Sequence, residues 1–185
     1  MSKAGNYIGH GTQTNGVFDK GCVYTYKGKT YTEADLMKPI VKACNAYLRG
    51  SGVKVITDYG TNNINMIMQV KKSNSNNVDV HVAWHCDYSK APKGTLPLYV
   101  SAEGKKLAAQ MNKYVLKYST LSTRGLCRRT DLYELNQTDM PAVIFEVGSI
   151  KADLDRMRTE ADAIGKGGAK GICAYLGVKF TGKKA

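Results

Sequence analysis

Residues 78–85 have the sequence VDVHVAWH, which is rich in β-branched residues and apolar on both faces up to Trp84. A strand with one face in water alternates apolar and polar side chains, so this stretch predicts a strand in the centre of a sheet. Residues 142–147, AVIFEV, predict a second buried strand. The fold is therefore expected to be built around these two stretches.

Helix and strand patterns alternate along the rest of the chain. Apolar residues recur at helical spacing in three segments, residues 36–48, 107–118 and 154–164. Shorter patterns predict strands over residues 6–8, 53–57 and 96–100, a hairpin over 22–31 and a helix over 63–72. Strands that alternate with helices of this length predict an α/β fold with a mostly parallel sheet, in which active sites collect at the carboxyl ends of the strands.

Local signals refine the ends of these elements. We expect Ser101 to cap the second long helix, and Pro39 to kink the first one or delay its start to about Asp35, because proline has no amide hydrogen to donate. Residues 73–77 predict a polar loop. The glycine cluster over residues 165–168 is expected to end the third helix before a final short helix.

Length and charge limit the class of protein. The 185 residues are the length of one globular domain. The sequence contains no run of about 18 apolar residues, so it predicts no membrane-inserted helix.

The chain has 27 Lys and Arg against 15 Asp and Glu, a formal net charge of +12. This excess predicts a negatively charged partner, either nucleic acid, an anionic membrane or an anionic cell wall. No nucleic-acid-binding motif accompanies the charge, so we do not expect nucleic acid.

The five cysteines are spread over the chain with no CxxC pair; they are Cys22, Cys44, Cys86, Cys127 and Cys173. An odd number without close pairs argues against a disulfide framework and against a cysteine-based zinc site. We therefore predict reduced thiols in the core. Cys86 is expected to point away from the side of its neighbour His85, because successive strand residues face opposite sides.

The three histidines, His10, His81 and His85, are candidate functional residues. His81 and His85 lie on one face of the predicted central strand, but four residues separate them by roughly 13 Å, which is too far for one metal ion. At most one of the two can be a ligand, and His85 stands at the carboxyl end, where sites form. His10 lies between two glycines in a turn, where a histidine without any function is also common.

Two carboxylates need an explanation. Glu146 interrupts an otherwise apolar strand, and burying an unpaired carboxylate costs several kcal/mol, so it needs a cation, a hydrogen-bond donor or a metal nearby. A salt bridge to a lysine or arginine is an equally good interpretation of Glu146. Glu33 follows Thr32 at a helix start, where the helix dipole alone favours an acidic residue.

The order of these residues resembles a known family. The sequence GHG at 9–11, then Glu33, then WH at 84–85 and EVG at 146–148 resemble the zinc-dependent N-acetylmuramoyl-L-alanine amidases of the amidase-3 type, the cell-wall amidases. The resemblance extends over nearly the whole chain. It implies a single domain with a twisted sheet that is flanked by helices on both faces.

The resemblance implies one zinc ion held by His10, Glu33 and His85, with Glu146 as the catalytic carboxylate. Two imidazoles and one carboxylate leave the fourth tetrahedral position open to a water, whose pKa zinc lowers to about 7. Glu146 is expected to take a proton from this water and to deliver it to the departing amine. The implied substrate is peptidoglycan, cut at the amide between N-acetylmuramic acid and L-alanine of the stem peptide.

This chain departs from the family pattern at three places. The family usually has Asp-Pro at positions 7–8, where this chain has Tyr-Ile, an Asn in place of Asp87, and an aromatic residue in place of Ser149. None of these changes removes an implied ligand. The residues that bind the substrate are not indicated, and Asp87, Arg124 and Asn63 are candidates by loop placement only.

Organisation and location are expected as follows. Residues 1–180 form the amidase catalytic domain, and residues 181–185 are a tail or the start of a linker. Since no separate wall-binding domain is present, the net charge is expected to attract the protein to anionic wall polymers. The first residues lack the apolar stretch of a secretory signal, so we expect synthesis in the cytoplasm and action on the wall after release by a holin or cell lysis, as for an endolysin or autolysin.

Two alternatives remain open from the sequence. A carboxypeptidase-like zinc hydrolase would use the same metal with a positively charged pocket for a free carboxylate. A catalytically inactive cationic module that binds cell wall or nucleic acid would need no metal. The amidase interpretation is favoured because all four polar residues occur in order at the predicted ends of elements.

Overall fold

The computed structural model describes residues 1–61 and 64–185, and these ranges contain eight strands and six helices. The strands are β1 (Lys3–Ile8), β2 (Val23–Tyr26), β3 (Lys29–Thr32), β4 (Lys54–Ile56), β5 (Val80–Asp87), β6 (Leu96–Tyr99), β7 (Cys127–Arg128) and β8 (Ala142–Ser149). The helices are α1 (Glu33–Gly50), α2 (Met66–Ser75), α3 (Ala102–Tyr118), α4 (Tyr133–Asn136), α5 (Leu154–Thr159) and α6 (Ala161–Tyr175).

Six strands form one mixed sheet in the order β4-β1-β5-β8-β6-β7, and β2 pairs with β3 in a separate hairpin. The four strands from β4 to β8 in this order are mutually parallel. Only the pairing of β6 with β8 is antiparallel, and β7 runs parallel to β6. The predicted mostly parallel α/β fold is therefore confirmed, with β5 and β8 as neighbours inside the sheet.

Helices cover both faces of this sheet. On one face, the even-numbered side chains of β5, including Val82 and Trp84, pack in the main core with α1, α3 and α6. On the other face, Ala83 and Ile144 pack with Leu135 of α4 in a smaller cluster. The two-sided burial explains why the strands are apolar on both faces.

The glycine cluster lies inside a helix, so the prediction that it ends one was wrong. A Cβ atom on Gly165 would lie 2.6 Å from Ala43 Cβ, and one on Gly171 would lie 2.4 Å from Met111 Cα. Glycine therefore lets α6 pack closely between α1 and α3. This packing outweighs the cost of glycine in a helix, about 1 kcal/mol per residue relative to alanine. The helical segment breaks instead at Glu160, between α5 and α6.

Helix α1 begins at Glu33 rather than near Asp35. The side chain of Thr32 accepts a hydrogen bond from the Asp35 amide and caps the helix, and Pro39 lies within the helix without delaying its start. The cap supplies an acceptor for an amide that the first turn leaves unpaired. Ser101 caps α3 as predicted, accepting a hydrogen bond from the Gly104 amide at 2.9 Å.

Helix α2 begins later and ends later than predicted. Its cap is Asn65, whose side chain accepts a hydrogen bond from the Met68 amide. Its last turn includes residues 73–75, which the sequence predicted as loop, because Ser73 is buried against the sheet instead of facing water. Asn63, the predicted start of this helix and a candidate for substrate binding, lies outside the described residues.

All five cysteines are free thiols. Cys44, Cys86 and Cys173 are buried, as predicted, whereas Cys22 and Cys127 are only half-buried. The prediction of core thiols therefore holds for three of the five. Cys22 lies beside the candidate site described below, and Cys127 lies in β7 at the edge of the sheet.

In the described ranges, the helices are too short or too polar for any of them to cross a membrane. After α6 the chain returns along α1, where the Ala185 amide donates to the Ala46 carbonyl at 3.1 Å and Lys184 pairs with Asp162 at 2.5 Å. The assignment of residues 181–185 to a tail or the start of a linker stays a prediction.

Candidate active site

Four polar side chains meet at the carboxyl edge of the sheet. Strands β1, β5 and β8 run parallel and end together at this edge. His10 follows the end of β1, and His85 of β5 is paired in register with Glu146 of β8. Glu33 reaches the same place from the first turn of α1. The fold thus brings together all four residues that the sequence predicted for the site.

Glu33 is the centre of the hydrogen-bond network. Its Oε1 lies 2.9 Å from His85 Nδ1 and 3.1 Å from His10 Nε2, and it accepts the Cys86 amide at 3.0 Å. Its Oε2 accepts the Cys22 amide at 2.9 Å. Burial opposes ionisation of this carboxyl, but the hydrogen bonds and charges of the two imidazoles outweigh it and hold the pKa of Glu33 well below its usual range.

The two histidines are held by different partners. His10 Nδ1 lies 2.9 Å from Asp19 Oδ2, so Asp19 fixes the ring while Nε2 faces Glu33. The His85 ring contacts the His10 ring edge-on, with centroids 4.9 Å apart. Burial lowers the pKa of both imidazoles, but Glu33 outweighs this effect and raises the pKa of His10 and, with the charge of Glu146, that of His85 to about 9.

Two glycines make room for this network. A Cβ atom on Gly9 would lie 2.2 Å from His85 Nε2, and a Cβ atom on Gly21 would lie 2.5 Å from both Glu33 Oε2 and His10 Cδ2. Gly21 also has a φ of +66°, a conformation that other residues rarely adopt. The local sequence is therefore shaped to let the imidazole and carboxylate groups approach the backbone.

Two buried polar atoms at the site have no hydrogen-bond partner among the described residues. They are His85 Nε2 and Glu146 Oε2. Burial raises the pKa of Glu146 to about 7, and the charges of Asp87 and Glu33 add to this effect while His85 opposes it. Glu146 forms no salt bridge with the lysines and arginines of the described ranges. The salt-bridge interpretation of this residue is therefore wrong.

The chemistry of the donors fits a metal ion. His10, Glu33 and His85 each offer a ligand atom, and these atoms lie within 4.8 Å of one another. Two imidazole nitrogens and one carboxylate oxygen are a donor set that suits zinc in catalytic sites. Two further observations agree with a metal-binding site. The buried Nε2 of His85 has no partner among the described residues, and Gly9 and Gly21 leave space beside the donor groups.

His81 is not part of this group. It is fully buried below the site, where Nδ1 lies 2.8 Å from Ser73 Oγ and Nε2 lies 2.9 Å from Glu134 Oε1. Of the loop candidates, Arg124 pairs with Asp87 at 2.7 Å and donates from Nε to the Gly94 carbonyl. Asp87 lines the central cavity together with Glu146.

Sequence reasoning missed Asp19 and Glu134. Asp19 lies nine positions after His10, and this closeness is a signal that could have found it. Histidines that bind a metal commonly donate a hydrogen bond from their second ring nitrogen to a carboxylate. Glu134 has no comparable local signal. It reaches the sheet from the short helix α4, and only the tertiary fold brings it to His81.

Solved structures of amidase catalytic domains have the same fold. The catalytic domain of CwlV, an N-acetylmuramoyl-L-alanine amidase from Bacillus (Paenibacillus) polymyxa, superposes with a TM-score of 0.84 at 24% identity, over 97% of this chain and 100% of that one. The amidase AmiC2 of Nostoc punctiforme gives 0.81 at 22% identity, over 95% and 96%. The catalytic domain of the CD27L endolysin, which targets Clostridium difficile, gives 0.76 at 21% identity, over 94% and 98%.

The family follows from the sequence match. The model of the N-acetylmuramoyl-L-alanine amidase family matches residues 7–176, and the chain belongs to this family. An uncharacterized 38.4 kDa protein of Clostridium perfringens is 37% identical over 129 residues. The match covers 64% of this chain and 37% of that protein, so the chain matches well under half of the relative's length.

Proposed function

We propose that the protein is a zinc-dependent amidase that hydrolyses the bond between N-acetylmuramic acid and L-alanine in peptidoglycan. The observation that carries the proposal is the convergence of His10, Glu33 and His85, with Glu146 beside them, at the carboxyl edge of the sheet in a chain of this family. His10, Glu33 and His85 would hold one zinc ion.

When bound, zinc with an open coordination position makes water more acidic and polarises a carbonyl oxygen. The protein's own contribution is to fix the donors. Asp19 holds His10, and the backbone amides of Cys22 and Cys86 hold Glu33. Such outer partners fix ring orientation and raise ligand basicity. In this way the site is preorganised around its donor atoms.

Glu146 is the residue proposed to move the proton. Hydrolysis adds water across the amide, so one proton must leave the water and one must reach the departing amine. The Oε2 atom of Glu146 is free of hydrogen-bond partners in the described residues and lies next to His85 in register. A carboxyl group that exchanges its proton near neutral pH suits both halves of this task.

A single substitution tests this role. Glu146→Gln keeps the size of the side chain but cannot accept a proton, and we expect zinc to remain bound while the release of N-terminal alanine from purified peptidoglycan falls by about 10²- to 10⁴-fold. Glu103→Gln, on the exposed face of α3, is the matched control. Near wild-type turnover of Glu146→Gln would show that another group moves the proton.

Zinc dependence has its own test on the wild-type protein. A strong chelator should abolish alanine release, and added zinc should restore it. Metal content is measured on the same samples. Alanine release that persists after complete removal of the metal would contradict the zinc-dependent mechanism.

We further propose that the net charge of +12 attracts the protein to anionic wall polymers. Exposed charges are screened over about 8 Å at physiological salt. Binding to purified walls should therefore weaken from low to high salt, and unchanged binding would contradict this part of the proposal.

The carboxypeptidase alternative needs an unpaired cation for a free carboxylate. Two arginines act on or line the site, Arg124 through its charge on Glu146 and Arg129 in the cavity that Glu146 lines. Arg124 pairs with Asp87 and Arg129 pairs with Asp131, each at 2.7 Å. These pairs favour the amidase. An assay on peptides with a free C-terminus distinguishes the two activities.

A further inference from the structure

The catalytic edge opens into a cleft that extends in two directions. The central cavity, about 450 Å³, is lined by the proposed zinc ligands and Glu146. A second cavity of about 450 Å³ shares His85 and Glu146 with it and continues over Met66, Leu98 and Leu132. We call this second cavity the apolar arm.

A third cavity, about 470 Å³, continues on another side of the centre. It is lined by Tyr24 and Tyr26 of the hairpin, by Ser89, and by a segment around α5 that includes Lys151 and Asp155. It adjoins the central cavity because Tyr88, the neighbour of Ser89, and Cys22, just before β2, line the central one. We call this third cavity, with Tyr24 and Tyr26, the tyrosine arm.

The two arms differ in chemistry. The apolar arm has Leu98, Leu132 and Met66 along it and the charged pair of Arg129 and Asp131 at its rim. This suits a short peptide that carries small apolar and charged side chains. The tyrosine arm presents the amphipathic rings of Tyr24 and Tyr26, and Tyr26 is 38% exposed. Rings of this kind pack against the C–H faces of sugars while their hydroxyls form hydrogen bonds.

The position of Glu146 fixes which part of the substrate enters which arm. The departing amine belongs to L-alanine, the first residue of the stem peptide, and must face the group that protonates it. Glu146 lines the central cavity and the apolar arm, whereas the tyrosine arm is lined by other residues. The stem peptide therefore extends from the centre into the apolar arm, and the acyl side extends the other way.

We propose that the apolar arm binds the stem peptide and that the tyrosine arm binds the glycan strand of peptidoglycan. This inference rests on the proposed function, since it takes the bond cut and the role of Glu146 from it. It assigns Met66 to peptide binding and Tyr26 to glycan binding. Both residues are exposed, so their substitution leaves the core intact.

The test compares two soluble substrates that carry the same tripeptide stem. One is a single N-acetylmuramic acid unit, and the other is the same unit within a glycan chain of several disaccharides. Tyr26→Ala should lower kcat/KM about tenfold on the chain and less than about twofold on the single unit, because only the chain reaches the tyrosine arm. Val23→Ala is the control, because Val23 is an exposed residue of the same hairpin and is not among the residues that line the three cavities.

Met66→Lys should show the complementary pattern. It should lower kcat/KM about tenfold on both tripeptide substrates, and this loss should shrink when the stem is shortened to one alanine. Met66→Leu should retain activity. Thermal unfolding of each variant confirms that it is folded.

The outcomes separate this inference from the proposed function. The assignment of the arms is wrong if the wild-type protein releases alanine but the loss of kcat/KM in Tyr26→Ala depends on peptide length and that in Met66→Lys depends on glycan length. The substrate would then lie the other way round. Equal losses on all substrates would also overturn it. If the wild-type protein releases no alanine from either substrate, the proposed function itself fails.

Discussion

Strand β5 carries two histidines on one face, and each is paired with a glutamate at 2.9 Å. His85 contacts Glu33 near the carboxyl end of the strand, and His81 contacts Glu134 four residues earlier on the same strand. The pairs use the same chemical groups and the same distance. Only one of them lies in a cluster that could hold a metal ion.

The difference lies in what the pairs leave unsatisfied. Both ring nitrogens of His81 have partners, Ser73 and Glu134, and the ring is fully buried. His85 Nε2 has no partner among the described residues, and Glu33 is shared with a second imidazole. A closed pair stabilises the fold, whereas a site that binds must keep donor atoms available. The comparison predicts that His85 matters for chemistry and His81 for stability.

The largest expected effect is that of His85→Ala. Loss of one of three proposed ligands should abolish zinc binding and reduce alanine release below detection. The protein should stay folded because Glu33 keeps His10 and the amides of Cys22 and Cys86 as partners. Metal analysis, the alanine assay and thermal unfolding check the three parts. Full metal content in the folded His85→Ala variant would show that His85 is not a zinc ligand, and would contradict the functional difference between His85 and His81.

His81→Ala should act on stability instead. It leaves the carboxyl group of Glu134 buried without its hydrogen-bond partner, and an unsatisfied buried polar group costs about 1–3 kcal/mol of the free energy of unfolding. Denaturant unfolding measures this loss. A loss below about 1 kcal/mol would show that the two pairs do not differ as proposed.

A double substitution, His81→Leu with Glu134→Leu, serves as the control for that result. Removing both members of a buried hydrogen-bonded pair leaves no unsatisfied polar group, so much of the stability lost in the single variant should return. Because Ser73 keeps its contact with Tyr7 at 3.0 Å, the hydroxyl remains partnered.

The sequence predicted the sheet and the four site residues better than it predicted their surroundings. Apolar runs and residue order were enough for β5, β8 and the placement of Glu146 at a strand end. The glycines of α6 were misread because their reason is contact with α1 and α3, which are distant in sequence. Likewise, the partners of His81 come from two other helices. Signals that depend on such packing cannot be seen in a local pattern.

Asp19→Asn tests whether His10, the second imidazole of the site, depends on its own carboxylate partner. Asp19 holds His10 through Nδ1, and removing such an outer carboxylate typically lowers metal affinity by about 10- to 100-fold. Zinc titration against a competing chelator measures the change. Asp139→Asn is the control, since Asp139 is exposed in the segment that precedes β8. Unchanged zinc affinity would show that His10 is held without Asp19.

Asp58 tests the effect of the imidazoles on a buried carboxylate. It is fully buried like Glu33, but its partners are the Ile8 amide and the side-chain amide of Gln69 rather than histidines. Burial dominates and raises the pKa of Asp58 to about 6, the opposite direction from Glu33. The neutral form of Asp58 is therefore favoured in the folded state.

The sign of the pH dependence follows from this direction. Because the folded pKa lies above the usual value of about 3.9, the stability that Asp58 contributes is present below about pH 4 and is lost as the pH rises through about 6. Relative to Asp58→Asn, the wild-type protein should lose about 2 kcal/mol of unfolding free energy between pH 4 and 7. Unfolding curves of both proteins at each pH measure the difference. If the difference in unfolding free energy between the two proteins stays constant with pH, the pKa of Asp58 is not raised by burial. The two imidazoles would then not explain why the pKa values of Glu33 and Asp58 differ.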